Sequence, residues 1–353
     1  EITGVTSLLG PTHRVLEYLG DRRAMVITGT NSIEECWHSD QTGSGDLGET
    51  CATAYLVRLL AKLLCLGGVP FGGAPLGDWM ERSIYNALFA AQSPDGRKLR
   101  YYAPFEGRRR YWDKDTYCCP GNFRRIIGEL PELIAFRQPN GIAINLYAES
   151  TIVTRLRSGV GITIRQHTDY PRNGKVRVEV EPDRSAQFAM RLRIPAWCPE
   201  PSFRVNGVNE PTGNAERSLE ISRVWNAGDR IEIDLPMPWR FIRGHDRQDG
   251  KVAVMRGPVV YCLAPGRHPE LANTDAENLL IDPDSLDEIV PDTAVSPDGI
   301  GCRLRATDPA SGLVHELSLS EFPDPDGEVT YFRCETSEAV DDENLRHPAN
   351  KGV

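Results

Sequence analysis

No stretch of this sequence stays apolar for the roughly 18 to 20 residues that a membrane-spanning helix needs. The best candidate, from Leu56 to Val69, is broken by Arg58, Lys62 and glycines, so no membrane partner is expected. An excess of positive charge is also missing: 40 Lys and Arg stand against 50 Asp and Glu, a formal charge of −10. Nucleic acid and anionic lipid attract the opposite sign, so no nucleic-acid partner is expected, and a neutral or solvated substrate fits better. There is no internal repeat and no low-complexity tract. The 40% hydrophobic and 25% charged residues are globular composition, which excludes disorder as the whole answer. Nothing near Glu1 resembles a signal peptide, and the first residue is not Met, so an upstream start and the question of export stay open.

A chain of 353 residues does not need disulfide staples, and its nine cysteines cannot all pair. Free thiols in a reducing compartment, the cytoplasm, are the expectation.

The apolar residues recur at helical spacing up to about Gln138. Leu56, Leu59, Leu60, Leu63 and Leu64 make one stripe, Met80, Ile84, Ala87, Leu88 and Ala91 a second, and Phe123, Ile126, Ile127, Leu130, Leu133 and Ile134 a third. With a weaker segment around His13 to Arg23, the spacing predicts about four helices. Near Asn140 the period falls to two. Ile142–Tyr147, Val176–Val180, Phe188–Ile194 and Ile231–Leu235 read as strands, and Asn206-Gly207 is a type I′ hairpin signal. A β-sandwich is expected from about 140 to 240, and a strand pair around Gly257-Pro258. Beyond Pro265 the chain is rich in Asp and Pro, as in Phe322-Pro323-Asp324-Pro325-Asp326-Gly327, with short strands at Arg303–Arg305 and Val329–Phe332.

Three groups of residues can carry chemistry. Cys118 and Cys119 precede the Phe123 helix, with Asn122 as the expected N-cap. Thiols at a helix start lose their protons more readily than elsewhere, although two buried cysteines or a vicinal disulfide would give the same sequence. Glu49 and Cys51 open the Leu56 helix. Asp46 and Glu49 have the spacing of a capping box, and on a regular helix positions 49 and 51 point about 200° apart. They can share a ligand only if the helix starts later and leaves Glu49 extended. One carboxylate and three sulfurs would suit tetrahedral zinc. Finally, Glu34 or Glu35, beside Trp37, could have a raised pKa and donate a proton, or both could be solvated surface.

These residues carry a family resemblance. Ile27-Thr28-Gly29 through Glu35, Glu49-Thr50-Cys51-Ala52, the Leu99–Gly107 segment and Cys118-Cys119-Pro120-Gly121-Asn122 resemble glycoside hydrolase family 127, the β-L-arabinofuranosidases and relatives. Leu192–Trp197, Val205-Asn206-Gly207, Trp225–Asp229 and Arg256–Tyr261 recur in the family in that order. The resemblance runs from about residue 20 to 265.

The resemblance implies an α+β multidomain chain, part of an (α/α)6 barrel followed by β-sandwich domains. It would divide into catalytic helices over 1–139, a sandwich over 140–245, and a second β-rich domain with a loop-rich end over 246–353. It further implies a zinc held by Glu49, Cys51, Cys118 and Cys119, with Cys118 as nucleophile, Glu35 as general acid/base and Tyr85 as a sugar contact. The implied activity is a zinc-dependent retaining glycosidase acting on a β-L-arabinofuranoside or related carbohydrate. The family usually has Gly-Glu before the aromatic residue, where this chain has Glu34-Glu35-Cys36-Trp37. The family's barrel has twelve helices, so a lost upstream segment or a partner chain is expected to complete it. A non-catalytic zinc-bearing subunit or carbohydrate-binding fragment is the rival reading.

Overall fold

The computed structural model describes residues 6–66, 75–114, 116–212, 217–335 and 338–345, with the backbone alone at 6 and 287–289. Four α-helices occur among them: α1 (Gly10–Gly20), α2 (Thr50–Cys65), α3 (Leu76–Ser83) and α4 (Cys118–Glu129). None is long and apolar enough to cross a membrane. The stripe of α2 supplies Leu56, Leu60 and Leu63 to a buried cluster with Trp79 and Met80 of α3 and Phe123 and Ile126 of α4, which is what amphipathic spacing requires. A short ribbon, β1 (Leu99–Arg100) against β2 (Tyr111–Trp112), lies between α3 and α4 in sequence.

Alternating residues build a sandwich after α4. Its strands are β3 (Ala135–Gln138), β4 (Gly141–Ile144), β5 (Ser150–Arg155), β6 (Gly161–Thr168), β7 (Lys175–Pro182), β8 (Ala186–Arg193), β9 (Ser202–Val205), β10 (Val208–Glu210), β11 (Ser218–Trp225) and β12 (Asp229–Asp234). They form a six-stranded sheet ordered β10-β9-β12-β7-β6-β5 and a four-stranded sheet ordered β11-β8-β4-β3. Inward residues of both sheets, such as Val176, Val178 and Val180 with Met190 and Leu192, share one core. Asn206 and Gly207 turn β9 into β10 at φ +51° and +82°, the left-handed pair of a type I′ hairpin.

The remaining strands are β13 (Trp239–Arg243), β14 (Lys251–Arg256), β15 (Val259–Leu263), β16 (Leu280–Pro291), β17 (Ile300–Thr307), β18 (Val314–Glu321) and β19 (Tyr331–Arg333). A second sandwich is expected here from the resemblance, but the sheet closes instead. β14, β15, β18, β17 and β16 pair in turn, and β19 then bonds both β16 and β14. The result is a β-barrel with β13 attached outside β14. The boundaries shift too: β3 joins the sandwich sheet from Ala135, and β13 belongs to the barrel from Trp239.

The loops between the helices share a further core with the barrel. Val254 of β14 points into the barrel, while Ala253 and Met255 pack outward against Val26, Ile27 and Phe105, so β14 is apolar on both faces. Helix α3 runs into a π-turn, Ile84–Leu88. There the Asn86 amide donates to Pro258 O at 3.0 Å and accepts from Val260 N at 2.8 Å. A polar residue at a helix irregularity thus docks the barrel.

Candidate active site

Two helix starts meet at one point. Before α2, Gly48 takes φ +73°, and a Cβ there would lie 2.9 Å from Ala103 O, so only glycine fits this turn without strain. Glu49 follows in an extended conformation, φ −53° and ψ 126°, and its carboxylate caps nothing. The capping-box reading of Asp46 and Glu49 is therefore not realised. Thr50, the first helical residue, donates its N–H to Tyr101 O at 2.9 Å and its hydroxyl to Arg100 O at 2.9 Å, which satisfies the helix end from β1 and the residue after it. At α4 the expected N-cap is displaced. The helix starts at Cys118 after an extended Tyr117, and Asn122 lies inside it. Pro120 sits in the first turn, where its missing N–H has no intrahelical partner to lose.

The two starts bring Glu49, Cys51, Cys118 and Cys119 together, with one ligand atom of each within 4.8 Å of all the others. Cys119 Sγ lies 3.2 Å from Cys51 Sγ and 3.6 Å from Glu49 Oε1, and Asn122 Nδ2 donates to Cys51 Sγ at 3.2 Å. Among the described residues no two cysteines are joined by a disulfide. Burial raises the Glu49 carboxyl, with added repulsion from the Glu35 carboxylate. It also pushes the Cys51 thiol up to about 11 and raises Cys119 further. Cys118 is the exposed sulfur of the three. Partial desolvation works against its ionisation, but hydrogen bonds from Tyr101, Cys51 and Cys119 bring it below the ordinary thiol value. The Tyr101 phenol is 3.0 Å away and is raised, first by that same bond.

Glu34 and Glu35 are the corner of a two-residue turn. Ile33 and Cys36 exchange both backbone bonds, at 2.8 and 2.9 Å, and the corner residues take φ +48° and +64°. Both corner positions left-handed make a type I′ turn, which normally selects Asn or Gly. The stem is fixed on both sides. The buried Asn31 donates to Ala24 O and to His38 O and accepts from His38 N, and Ile33 bridges to Leu47 beside the Gly48 turn. The Glu35 carboxylate adds to the negative charge that acts on Glu49, and the Glu34 carboxylate to that on Tyr102.

A family model described as the β-L-arabinofuranosidase GH127 catalytic domain matches residues 13–132, and one described as the GH127 middle domain matches 141–237. The chain belongs to the GH127 family. A non-reducing end β-L-arabinofuranosidase of Bifidobacterium longum subsp. longum is 28% identical over 276 residues, covering 70% of this chain and 41% of the relative. The crystal structure of a GH127 β-L-arabinofuranosidase from Geobacillus stearothermophilus T6 matches at TM-score 0.75 and 26% identity, over 88% of this chain and 54% of that one. A second GH127 β-arabinofuranosidase structure matches in fold at TM-score 0.79 and 22% identity, over 96% of this chain and 58% of the other. The GH127 chain described here thus spans between two fifths and three fifths of these relatives.

Within this GH127 chain the structure does not bring Tyr85 to the cluster. Its ring lies on the π-turn among Phe89 and Tyr170, against the sandwich and barrel cores, and its hydroxyl donates to Tyr147 O at 3.5 Å. Tyr101 and Asn122 touch the sulfurs instead. The sequence did offer a signal for the aromatic wall beside them: Tyr101-Tyr102 and Tyr111-Trp112 flank a turn at Gly107, the pattern of a returning ribbon.

Proposed function

We propose that this chain carries the catalytic centre of a zinc-dependent retaining glycoside hydrolase acting on β-L-arabinofuranosides. The convergence of one carboxylate and three sulfurs from two helix starts is the observation that supports it. The donor set fits the metal: zinc–sulfur bonds of roughly 2.3 Å in a tetrahedron place sulfurs about 3.8 Å apart, and the cluster spans 3.2 to 4.8 Å. Zinc held by Glu49, Cys51, Cys118 and Cys119 would supply the positive charge that keeps these thiols deprotonated.

The chain's own residues divide the rest of the work. Cys118, exposed and hydrogen-bonded by Tyr101, attacks the anomeric carbon as the glycosidic C–O bond breaks. Glu35 gives its proton to the departing oxygen. Glu35 then takes a proton from water, whose oxygen displaces the Cys118 sulfur, and two inversions restore the original configuration. The turn that fixes the backbone of Glu35, whose charge acts on Glu49, supports that role. On this reading the helices up to about residue 139 are the C-terminal part of an (α/α)6 barrel, the two β units follow it, and upstream sequence or a partner chain supplies the remaining sugar contacts.

A mechanism-based β-L-arabinofuranosyl electrophile followed by mass spectrometry tests the assignment. Labelling of Cys118, lost in Cys118→Ser, is the expected result. A label on a glutamate would move the nucleophile, and an unlabelled chain would favour a subunit whose metal only braces α2 and α4.

A further inference from the structure

The two helix starts that make the cluster share a neighbour, the segment from Arg100 to Ala103. Thr50, between Glu49 and Cys51, donates its hydroxyl to Arg100 O and its N–H to Tyr101 O, both at 2.9 Å. Ala103 N donates to Leu47 O at 3.0 Å and to Gly48 O at 3.2 Å. The Tyr101 hydroxyl meets Cys118 Sγ at the first residue of α4. Where this segment sits therefore decides where Glu49 and Cys51 stand relative to Cys118 and Cys119.

Arg100 fixes the segment from the other side. Its side chain is fully buried. Nη1 donates to Ala90 O, just past the π-turn that follows α3. Nη2 donates to Pro325 O at 3.0 Å and to the Tyr111 hydroxyl at 3.1 Å, with the guanidinium over the Tyr111 ring. Pro325 belongs to the loop between β18 and β19 of the barrel, and that loop is closed on itself. Asp324, fully buried, accepts from Asp326 N at 2.9 Å and from Arg267, and Gly327 N donates to Asp324 O at 3.2 Å. One guanidinium thus joins helix, ribbon and barrel at the residue whose carbonyl holds α2.

The acceptors of Arg100 named here are all uncharged. Burial pushes its guanidinium down to about 10, and the neighbouring Arg109 pushes the same way. A cation in such a place is costly, and an apolar side chain of similar volume often gives equal or greater stability. An apolar side chain cannot, however, hold three acceptors in fixed directions, which the planar fork of arginine does. Geometry rather than stability is what Arg100 supplies.

Arg109, past the Gly107 turn and 5% exposed, offers a comparison. It donates from Nε and Nη2 to Gly327 O at 3.0 and 2.7 Å and from Nη1 to Phe322 O, and its Nη2 lies 3.6 Å from Cys262 Sγ. It grips the same loop, but these partners all belong to the barrel.

We propose that Arg100 is a positioning residue through which the barrel loop sets the separation of the two helix starts, and so the shape that Glu49, Cys51, Cys118 and Cys119 offer a metal. The role deepens the zinc reading and rests on it. Titration of the metal-free full chain with cobalt(II), a stand-in for zinc whose visible spectrum reports tetrahedral geometry and thiolate bonding, tests it.

Arg100→Met should bind cobalt about tenfold more weakly, as loss of a support behind metal ligands does, and its thiolate–cobalt bands should be weakened or displaced even at saturating metal. Arg109→Met should lose comparable stability to denaturant yet keep the parent's affinity and spectrum. If Arg100→Met does not fold, Arg100→Lys carries the comparison, since an ammonium keeps the charge without the fork. Affinity and spectrum unchanged in the Arg100 variant, or changed as much by Arg109→Met, would overturn the proposal. A parent chain that takes up no tetrahedral cobalt would remove the zinc reading, and the positioning role with it.

Discussion

The Tyr101 hydroxyl and the Cys118 sulfur lie 3.0 Å apart, in a hydrogen bond that lowers the thiol and raises the phenol. Removing that hydroxyl in Tyr101→Phe should raise the Cys118 thiol, because a bond that lowers its pKa is lost. Less thiolate would then exist at neutral pH. Iodoacetamide should alkylate Cys118 of the metal-free variant several-fold more slowly than the metal-free parent near pH 7, with the difference vanishing at strongly alkaline pH. Equal rates at neutral pH would show that Tyr101 does not tune the sulfur.

Metal content gives a second check. Purified chain should hold about one zinc, and Cys51→Ser or Cys119→Ser should lose most of it, since each removes one of four donors. Elemental analysis decides the matter. Retention of full metal content in both variants would remove the Glu-Cys-Cys-Cys assignment.

The paired glutamates should separate cleanly. Glu34 sits at φ +48°, where a side chain costs roughly 1–2 kcal/mol, so Glu34→Gly should raise stability by about 1 kcal/mol in a urea melt and leave turnover of an aryl arabinofuranoside close to unchanged. Glu35→Gln should slow substrates with poor leaving groups far more than those with good ones. The reverse ranking would assign the proton to Glu34.

Arg193 of β8 is buried between the sandwich and α3, where it bonds Asp78 at 2.6 Å and Glu81. Truncation to alanine would leave the buried Glu81 without its cation and Asp78 with Arg217 alone, at 3.2 Å, and should cost about 3–5 kcal/mol. Denaturant titration of Arg193→Ala gives the value, and a loss below 1 kcal/mol would show that the two carboxyls find other partners.

Helix and strand periodicity carried the four helices and the sandwich, because both bury one face against a layer that follows in sequence. Closure of the barrel was not legible. It rests on β19, three residues long, and on a single parallel pairing of Leu280 with Arg333, too little sequence to show a pattern. The Glu-Cys-Cys-Cys cluster was visible as residue types, but its geometry depended on where α2 begins, which Gly48 decides. The Glu34–Glu35 turn left no signal, since neither residue favours a left-handed backbone. Tyr85 came from the resemblance alone, and its place on the π-turn that docks the barrel has no pattern of its own in the sequence.

Helix α3 and the π-turn after it reach helices, sandwich and barrel between Leu76 and Asn86. Asp78 and Glu81 bond Arg193, Arg82 bonds Asp342 at 2.6 Å and Glu343 at 2.5 Å, Trp79 donates to Asn344 O at 2.9 Å, and Asn86 reaches the barrel. A segment whose hydrogen bonds are shared among all its neighbours cannot melt alone, nor can any neighbour leave it solvated without exposing charge. Helices, sandwich and barrel should therefore unfold together, in one calorimetric endotherm rather than three.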